Sequence, residues 1–319
     1  MNEARTQDPL AVGTDRDPFD AASERPTHRI PIDLVGVQSQ PVMLTISEPL
    51  VGRSLELFCD LSAVVSLRES QRGIHMSRLI EAVPHDSEER TLLESASLIA
   101  ETALGSQGQE HSRVRLATTL PVYSSTHVTG LISPDTVQMS ALARAGSLPG
   151  GGISLSATNI TACPCMQRYT LHHLSRELGL PESSTAGLGQ AIALATHTQR
   201  GTVRITALAE DTARLPTSQE LYEIIAARTV LVQDLLKRPD EYDIIRRSHT
   251  RAQFVEDVTR DVADEINSRL GRRFHSNKKG ILFEIATLSR ESIHSHDVWA
   301  VIRIGDESLM NQLNLPNAC

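Results

Sequence analysis

The amino-acid sequence predicts an α+β fold in which antiparallel sheets carry helices on one face. Apolar residues alternate with polar ones in strand-length runs, and paired runs with helical spacing lie between them. The order strand-strand-helix-helix-strand-strand occurs twice along the chain. This repetition indicates an internally duplicated architecture, although no repeat is visible residue by residue.

The first half is predicted over residues 29–145, after a tail over 1–28. The tail is rich in Asp, Arg, Thr, Pro and Ala and lacks apolar periodicity, which is typical of disordered segments. Helical spacing predicts two helices, over 77–83 and 86–104, and Asp86 is expected to help cap the second. Alternation predicts strands over 30–37, 42–46, 54–67, 114–123 and 128–142.

The second half is predicted over residues 146–306, before a short C-terminal tail over 307–319. An insertion over 161–202 interrupts it between its first two strands, and active sites often lie on such interruptions. The insertion contains a predicted helix over 166–178 and a Gly/Ala-rich stretch over 186–195. The remaining predicted elements are strands over 153–160, 203–208, 281–288 and 298–304, and helices over 218–236 and 251–269.

The composition excludes several classes of protein. Lys and Arg number 31 against 39 Asp and Glu, giving a net charge of −8, so general nucleic-acid binding is not expected. No window approaches the ~18 uninterrupted apolar residues of a membrane span. The N-terminus lacks a secretory h-region, so a cytoplasmic location is expected. Four cysteines do not make a disulfide framework.

Two of those cysteines, Cys163 and Cys165, flank a proline. Thiolates are soft ligands for zinc or iron, and the intervening Pro164 restricts the backbone so that the two thiols project differently. The alternative is two structural thiols in a strand-to-helix turn.

A histidine and a glutamate could complete such a site. His197 precedes a predicted strand, and Glu241 lies in a charged Lys-Arg-Pro-Asp-Glu run. With Cys163 they would give three protein ligands and an open position, which is the arrangement of a catalytic metal site. The alternatives are an ordinary histidine and a solvated turn that ends a helix.

Three further groups of residues could bind a substrate or take part in its reaction. The run from Arg72 to Arg78 is suited to an anion, or is a capped surface helix. Glu291 and His294 could form an acid/base pair, or belong to an exposed turn. Glu256 could accept two N–H groups of a purine edge, or be a first-turn acid that favours a helix.

Taken in order, these motifs resemble GTP cyclohydrolase type IB, the metal-dependent branch of the pterin-forming cyclohydrolases. The resemblance extends over about residues 30–305 and implies a bimodular tunnelling fold with paired antiparallel strands and two helices per half. It also implies a homotetramer with active sites where subunits meet. The matching runs are 72–78 (RGIHMSR), 163–165 (CPC), 197–200 (HTQR), 236–241 (LKRPDE), 254–257 (FVED) and 291–294 (ESIH).

The resemblance implies a role for each matching residue. Cys163 and His197 correspond to metal ligands and Glu241 to the carboxylate near the metal, whereas Cys165 corresponds to a position that is not a ligand. The other roles are guanine binding by Glu256, proton transfer by Glu291 and His294, and binding of the triphosphate by Arg72, His75, Arg78 and Arg200.

The expected activity is that of a GTP cyclohydrolase, which opens the guanine imidazole ring at C8, releases formate and recloses a dihydroneopterin phosphate. Cys163 and His197 are 34 positions apart, and Thr198 replaces the usual Asn. Both features look like the archaeal branch, which favours ferrous iron and yields a cyclic phosphate. The sequence therefore leaves open whether the metal ion is iron, manganese or zinc, and whether the product is the triphosphate or the cyclic phosphate. The alternatives are a paralogue for another purine nucleotide and a non-catalytic purine- or metal-binding protein.

Overall fold

A computed structural model describes residues 20–312 except 87, 148, 180 and 275–278. Within these residues nine strands form one antiparallel sheet. The strands are β1 (Ile32–Ser47), β2 (Ser54–Leu67), β3 (His111–Ser125), β4 (Ile132–Gly146), β5 (Gly150–Ala162), β6 (Thr198–Ala209), β7 (Val230–Leu231), β8 (Ile281–Arg290) and β9 (Asp297–Gly305). The order across the sheet is β1-β2-β3-β4-β5-β6-β8-β9, and the short β7 pairs with β5.

Helices cover one face of this sheet. The described helices are α1 (Met76–Glu81), α2 (Leu92–Gln107), α3 (Pro164–Leu178), α4 (Glu182–Ala191), α5 (Ser218–Arg228), α6 (Arg238–Thr250) and α7 (Val255–Phe274). In the first half α2 packs against β3 and β4, and in the second half α7 packs against β8 and β9. The predicted α+β class, with an antiparallel sheet and helices on one face, is confirmed.

Alternation along the strands separates an apolar face from a polar one. Leu155 and Ile205, on neighbouring strands, are fully buried in the core beneath the helices. On the opposite face a row of polar side chains crosses five strands in register, and a Thr206–Ser154 hydrogen bond and a Glu284–Arg303 ion pair lie within it. The directly opposed members of the row are Ser140, Ser154, Thr206, Glu284 and Arg303.

Two helix boundaries differ from prediction, and capping explains both. Thr91, not Asp86, caps α2: its hydroxyl accepts from the Glu94 amide and the Glu94 carboxylate accepts from the Thr91 amide. The charged Lys-Arg-Pro-Asp-Glu run at 237–241, for which the end of a helix was one alternative, instead begins α6. Pro239 fits there because the first turn of a helix does not use its N–H groups.

The helix predicted over 218–236 is also too long. The structure ends α5 at Arg228, where the chain turns extended and Val230–Leu231 pairs with β5. Pairing with β5 satisfies the backbone groups that a longer helix would have used.

Residues 1–19 of the tail predicted over 1–28 lie outside the described residues. From Asp20 the chain is described, and Ala21–Ser23 forms a 3₁₀ turn that the Asp20 carboxylate caps. At the other end Glu307–Gln312 forms another 3₁₀ turn, and residues 313–319 lie outside the described part of the chain.

Candidate active site

Strand pairing brings three predicted site residues to one end of the sheet. Cys163 directly follows β5, His197 directly precedes β6 and Glu291 directly follows β8. Because β5 pairs antiparallel with β6 and β6 with β8, the end of β5, the start of β6 and the end of β8 coincide. The backbone N–H of Cys163 donates to the carbonyl of His197 at 3.1 Å. Residues 34 positions apart in the sequence are therefore adjacent.

The backbone around Cys163 is held on both sides. The hydroxyl of Thr196 donates to the Cys163 carbonyl at 2.9 Å. Cys163 is the cap residue of α3, and Pro164 occupies its first helical position, which needs no N–H donor. The Cys163 side chain is partly buried, whereas Cys165 is exposed in the first turn of α3.

The Gln199 amide determines which nitrogen of His197 carries its proton. Nδ1 of His197 lies 3.0 Å from Oε1 of Gln199, and Nε2 of Gln199 donates to Oε1 of Glu291 at 3.4 Å. The amide is thus oriented with its nitrogen toward the carboxylate and its carbonyl toward the imidazole. Because that carbonyl can only accept, Nδ1 of His197 is protonated and Nε2 keeps a lone pair. That lone pair can bind a metal ion.

Glu291 is fixed beneath this histidine. The Ser289 hydroxyl donates to its Oε1 at 2.9 Å, and its Oε2 lies 3.6 Å from Nδ1 of His197. The side chains of His197 and Glu291 are only 13% and 11% exposed. A carboxylate in this position orients the ring and leaves Nε2 of His197 facing away from it.

His294 lies beside His197 in the exposed turn between β8 and β9. Their ring centroids are 6.4 Å apart in an edge-to-face arrangement, and His296 stacks on His294 at 5.1 Å. Within the described residues Glu291 contacts Ser289, Gln199 and His197, and no hydrogen bond joins it to His294. The proton-transfer role of the Glu291/His294 pair stays a prediction.

Glu241 lies in the first turn of α6, with an exposed side chain. The residue before it, Asp240, is buried and accepts from the amides of Val128 and Thr129 at 3.1 and 3.0 Å and from the Thr129 hydroxyl at 2.6 Å. These bonds attach the start of α6 to the turn between β3 and β4. Since β3 and β4 run antiparallel beside β5, this turn lies at the same end of the sheet as Cys163.

Asp243 anchors the same helix one turn later. It is buried, and its Oδ2 lies 3.1 Å from Nδ1 of His127 and 2.7 Å from Nε of Arg247. Burial raises the pKa of Asp243, but the bond from Arg247 and the neighbouring charges of Arg247 and His127 lower it by more. A carboxylate held on each side of Glu241 therefore fixes its backbone.

The predicted ligands form only part of a metal site in this chain. Among the described residues, no group of three or more His, Cys, Asp and Glu side chains converges to hold a metal ion. No described hydrogen bond or ion pair joins Glu241 to Cys163 or His197. A thiolate and an imidazole nitrogen nevertheless form a donor pair suited to zinc or iron. The donors at Cys163 and His197 fit such an ion.

Glu256 and Arg200 lie at this same end of the sheet with exposed side chains. The Thr161 hydroxyl, near the end of β5, donates to the Gln253 carbonyl at 2.8 Å and so places the start of α7 beside Cys163. Glu256 is in the first turn of α7, and Arg200 is opposite Ile160 near the start of β6.

The run from Arg72 to Arg78 lies at the other end of the sheet. It follows β2, whose last residues are beside the start of β3, and β5 also begins at that end. The 13 residues of β5 separate this end from Cys163, a distance of about 40 Å along an extended strand. One chain therefore does not bring Arg72, His75 and Arg78 together with Cys163.

Several site-supporting residues were not predicted. Gln107, buried at the end of α2, clamps the backbone of His75: it accepts from the His75 amide at 3.1 Å and donates to its carbonyl at 2.7 Å. His249 of α6 is buried, and burial lowers its pKa although the Leu194 carbonyl opposes that shift. The charged run containing Asp240 was a signal for that residue, but no local pattern indicates Gln107 or His249.

Among the described helices, none combines the length and the apolar composition that a membrane span requires.

A family model described as type I GTP cyclohydrolase folE2 matches residues 19–300. GTP cyclohydrolase MptA 2 from Methanocella arvoryzae is 27% identical over 287 residues, covering 85% of this chain and 91% of that protein. GTP cyclohydrolase MptA from Methanoculleus marisnigri is 25% identical over 312 residues, covering 92% and 97%. Among solved structures, a hyper-thermostable uricase mutant aligns with a TM-score of 0.45 at 8% identity, covering 90% of this chain and 98% of the uricase.

Proposed function

The chain belongs to the type I GTP cyclohydrolase family and is a hydrolase of that class, and from this premise we propose how its residues divide the reaction. Hydrolysis at C8 of GTP opens the imidazole ring, and a second hydrolysis releases that carbon as formate. The ribose carbons then rearrange and reclose with the ring nitrogens to a dihydroneopterin phosphate. The observation that best supports a site for this chemistry is the contact of Cys163 with His197, whose Nε2 lone pair is available.

Cys163 and His197 are the proposed ligands of one divalent metal ion, with Glu241 as the nearby carboxylate. A metal ion bound there would lower the pKa of a water molecule and so supply hydroxide near neutral pH. Glu291 and Gln199 hold the imidazole of His197 in the tautomer and orientation that such binding needs. Iron and zinc suit this donor set best, manganese is the third candidate, and the resemblance to the archaeal branch makes iron the first metal to test.

His294 is the proposed proton donor to the imidazole nitrogen of the substrate whose bond to C8 breaks as the ring opens. It is exposed in the β8–β9 turn beside His197, so it can face a bound purine while the mostly buried Glu291 stays beneath His197. Glu256, exposed at the start of α7, would hold the guanine edge by accepting two N–H groups, which is a positioning role.

Binding of the triphosphate is proposed for Arg200 at the metal end and for Arg72, His75 and Arg78. Because one chain holds the latter three at the far end of the sheet, a second chain must supply them. This geometry supports a homo-oligomer with shared sites, and we propose the homotetramer that the family resemblance implies.

The test is turnover of GTP by protein purified anaerobically and reloaded separately with iron, manganese or zinc. Formate release and pterin fluorescence are followed together, and mass spectrometry of the product distinguishes the triphosphate from the cyclic phosphate. Formate with a pterin is the expected result. Formate without a pterin would indicate an enzyme that stops after ring opening. Neither signal from metal-loaded protein that binds GTP would contradict the proposal and favour another purine nucleotide or a binding role.

Two cysteine variants test the site assignment within the same experiment. Cys163→Ala is expected to lose both metal and turnover, whereas Cys165→Ala, two positions away and exposed, keeps both. His294→Ala is expected to keep its metal and lose turnover. Full metal occupancy and activity in Cys163→Ala would show that the site is misassigned.

A further inference from the structure

The segment Asp20–Glu24 lies on the run that is proposed to bind the triphosphate. Two backbone hydrogen bonds hold it there: the Arg72 amide donates to the Glu24 carbonyl at 2.9 Å, and the Gly73 amide donates to the Ala22 carbonyl at 3.1 Å. The 3₁₀ turn within the segment is closed by the Asp20 carboxylate, which accepts from the Ser23 amide and hydroxyl. The contact is thus a defined backbone pairing.

Both carboxylates of this segment contact cationic or ionisable groups of the run. Nη1 of Arg72 donates to Oε2 of Glu24 at 2.6 Å, and Oδ2 of Asp20 lies 3.7 Å from Nε2 of His75. A carboxylate and a phosphate are the two anions that a guanidinium binds in the same bidentate way. Asp20 and Glu24 therefore occupy the groups that the proposed function gives to the substrate's phosphates.

The run itself is held in place without these carboxylates. Gln107 clamps the His75 backbone through two hydrogen bonds, and Gln109 accepts from the Arg68 amide at 3.3 Å and donates to the Gln71 side chain at 2.6 Å. The ion pairs of Asp20 and Glu24 are accordingly not needed to shape the loop.

We propose that Asp20 and Glu24 compete with the substrate's triphosphate for Arg72 and His75 and so set the affinity of the enzyme for phosphate-bearing ligands. The proposal rests on the proposed function, in which these two residues bind phosphate. The Arg72–Glu24 pair is weak because both side chains are 58% exposed. A polyphosphate with more negative charge displaces the carboxylates, while the two backbone bonds keep the segment in place.

The test is the full-length double variant Asp20→Asn/Glu24→Gln, which removes both charges and keeps the size of each side chain. Its affinity for inorganic tripolyphosphate, measured by titration calorimetry, is expected to rise about two- to fivefold, the effect of losing an exposed competing pair. The KM for GTP should fall by the same factor, so that the change appears in KM and not in kcat. The matched control is Glu69→Gln/Glu81→Gln, since both residues are exposed nearby and neither side chain makes a hydrogen bond or ion pair among the described residues.

Two outcomes would overturn the competition. An unchanged or weaker tripolyphosphate affinity in Asp20→Asn/Glu24→Gln would show that the carboxylates do not oppose phosphate. An equal gain in the control would show that net charge alone is responsible. Failure of the proposed phosphate role is recognised separately, because Arg72→Ala would then leave the KM for GTP unchanged. Absence of GTP turnover in the wild-type protein would instead contradict the proposed activity.

Discussion

Gln199 is the residue on which the orientation of His197 depends. Its amide carbonyl accepts from Nδ1 of His197 and its amide nitrogen donates to Glu291, so one side chain fixes both the tautomer and the carboxylate beneath it. Gln199 is itself buried, which keeps water from replacing either bond. A partner of this kind commonly changes the metal affinity of the ligand that it holds.

Gln199→Leu is therefore expected to weaken metal binding about 10- to 100-fold, since His197 loses the acceptor that selects its tautomer. The measurement is competition for metal with a chelator of known affinity. Gln138→Leu, an exposed glutamine on β4, is the control and should bind metal like the wild type. Wild-type metal affinity in a folded Gln199→Leu protein would contradict the assignment of His197 as a ligand held by this amide.

Glu48 is a buried carboxylate that joins the starts of two helices. Oε1 accepts from the amide of Leu92, the first residue of α2, and Oε2 accepts from the hydroxyl of Ser218, the first residue of α5. Burial raises the pKa of Glu48, and the bonds from Leu92 and Ser218 only partly offset that effect. Its charge is nevertheless favoured by two helix N-termini.

The raised pKa of Glu48 predicts a specific pH dependence of stability. A carboxyl group whose folded-state pKa is above its unfolded value of 4.5 contributes stability below that value. The contribution is lost as the pH rises through the folded pKa. Glu48→Gln removes this titration, so the stability of the wild type relative to the variant should be greater at pH 4 than at pH 7. Urea unfolding at both pH values measures the difference.

Two further variants separate the titration of Glu48 from its hydrogen bonds. Glu48→Ala leaves the Leu92 amide and the Ser218 hydroxyl without their acceptor and should cost about 2–4 kcal/mol. Glu56→Gln, on exposed β2 surface, should leave the free energy of unfolding within about 0.5 kcal/mol of the wild type at either pH. A pH-independent difference between wild type and Glu48→Gln would contradict the raised pKa.

At the scale of elements, the sequence predicted most strands because their alternation depends only on which face is buried. The strand predicted over 54–67 has the bounds of β2. The runs over 30–37 and 42–46 join into β1, which continues through a register irregularity near Ser39, a residue with a φ of 56°. Local alternation cannot show that a strand continues through such an irregularity.

The helix that sequence analysis missed, α6, depends on contacts far along the chain. Most of its residues are polar. It begins where the Asp240 carboxylate accepts from the backbone amides of Val128, Thr129 and Lys237. The first two residues are more than 100 positions away, so no window of sequence contains the cause. For the same reason the sequence suggested the Cys163–His197 pair only as a motif, and strand register supplied the contact.

The hydrogen bonds of Asp240 give the second prediction of pH dependence. Burial raises the pKa of Asp240, but the bonds from the Thr129 hydroxyl and from the amides of Thr129, Val128 and Lys237 lower it by more, to well below its usual value. A carboxyl group with a depressed pKa contributes stability above its unfolded value of 3.8, and the contribution is lost as the pH falls through the folded pKa. Asp240→Asn should therefore be less stable than wild type at pH 7, with the difference shrinking toward pH 2.

Thr129→Val supplies the partner for a double-mutant cycle, because it removes one of the four bonds to Asp240 and keeps the side-chain shape. The effects of Asp240→Asn and Thr129→Val on the urea midpoint should be less than additive, since they break the same interaction. Additive effects would show that the β3–β4 turn and α6 are held by other contacts.

At the scale of the whole molecule, the sheet places its two groups of proposed site residues at opposite ends. Cys163, His197 and Glu291 follow or precede strands at one end, and the run beginning at Arg72 follows β2 at the other. An extended strand cannot shorten to bring them together, so the separation is a fixed property of the chain. A single substrate can contact both groups only where the metal end of one chain lies beside the phosphate end of another.

Mixing two defective variants tests this arrangement directly. Arg72→Ala/His75→Ala removes two side chains that are proposed to bind the triphosphate, and Cys163→Ala removes a proposed metal ligand. Each variant alone should therefore have a very low kcat/KM. If each site takes its metal end from one chain and its phosphate end from another, co-refolding the two variants in equal amounts restores intact sites. Random pairing makes about one quarter of the sites intact, and the mixture should recover about one quarter of the wild-type activity. Sites built within a single chain would give no recovery, because every chain in the mixture carries one of the two defects.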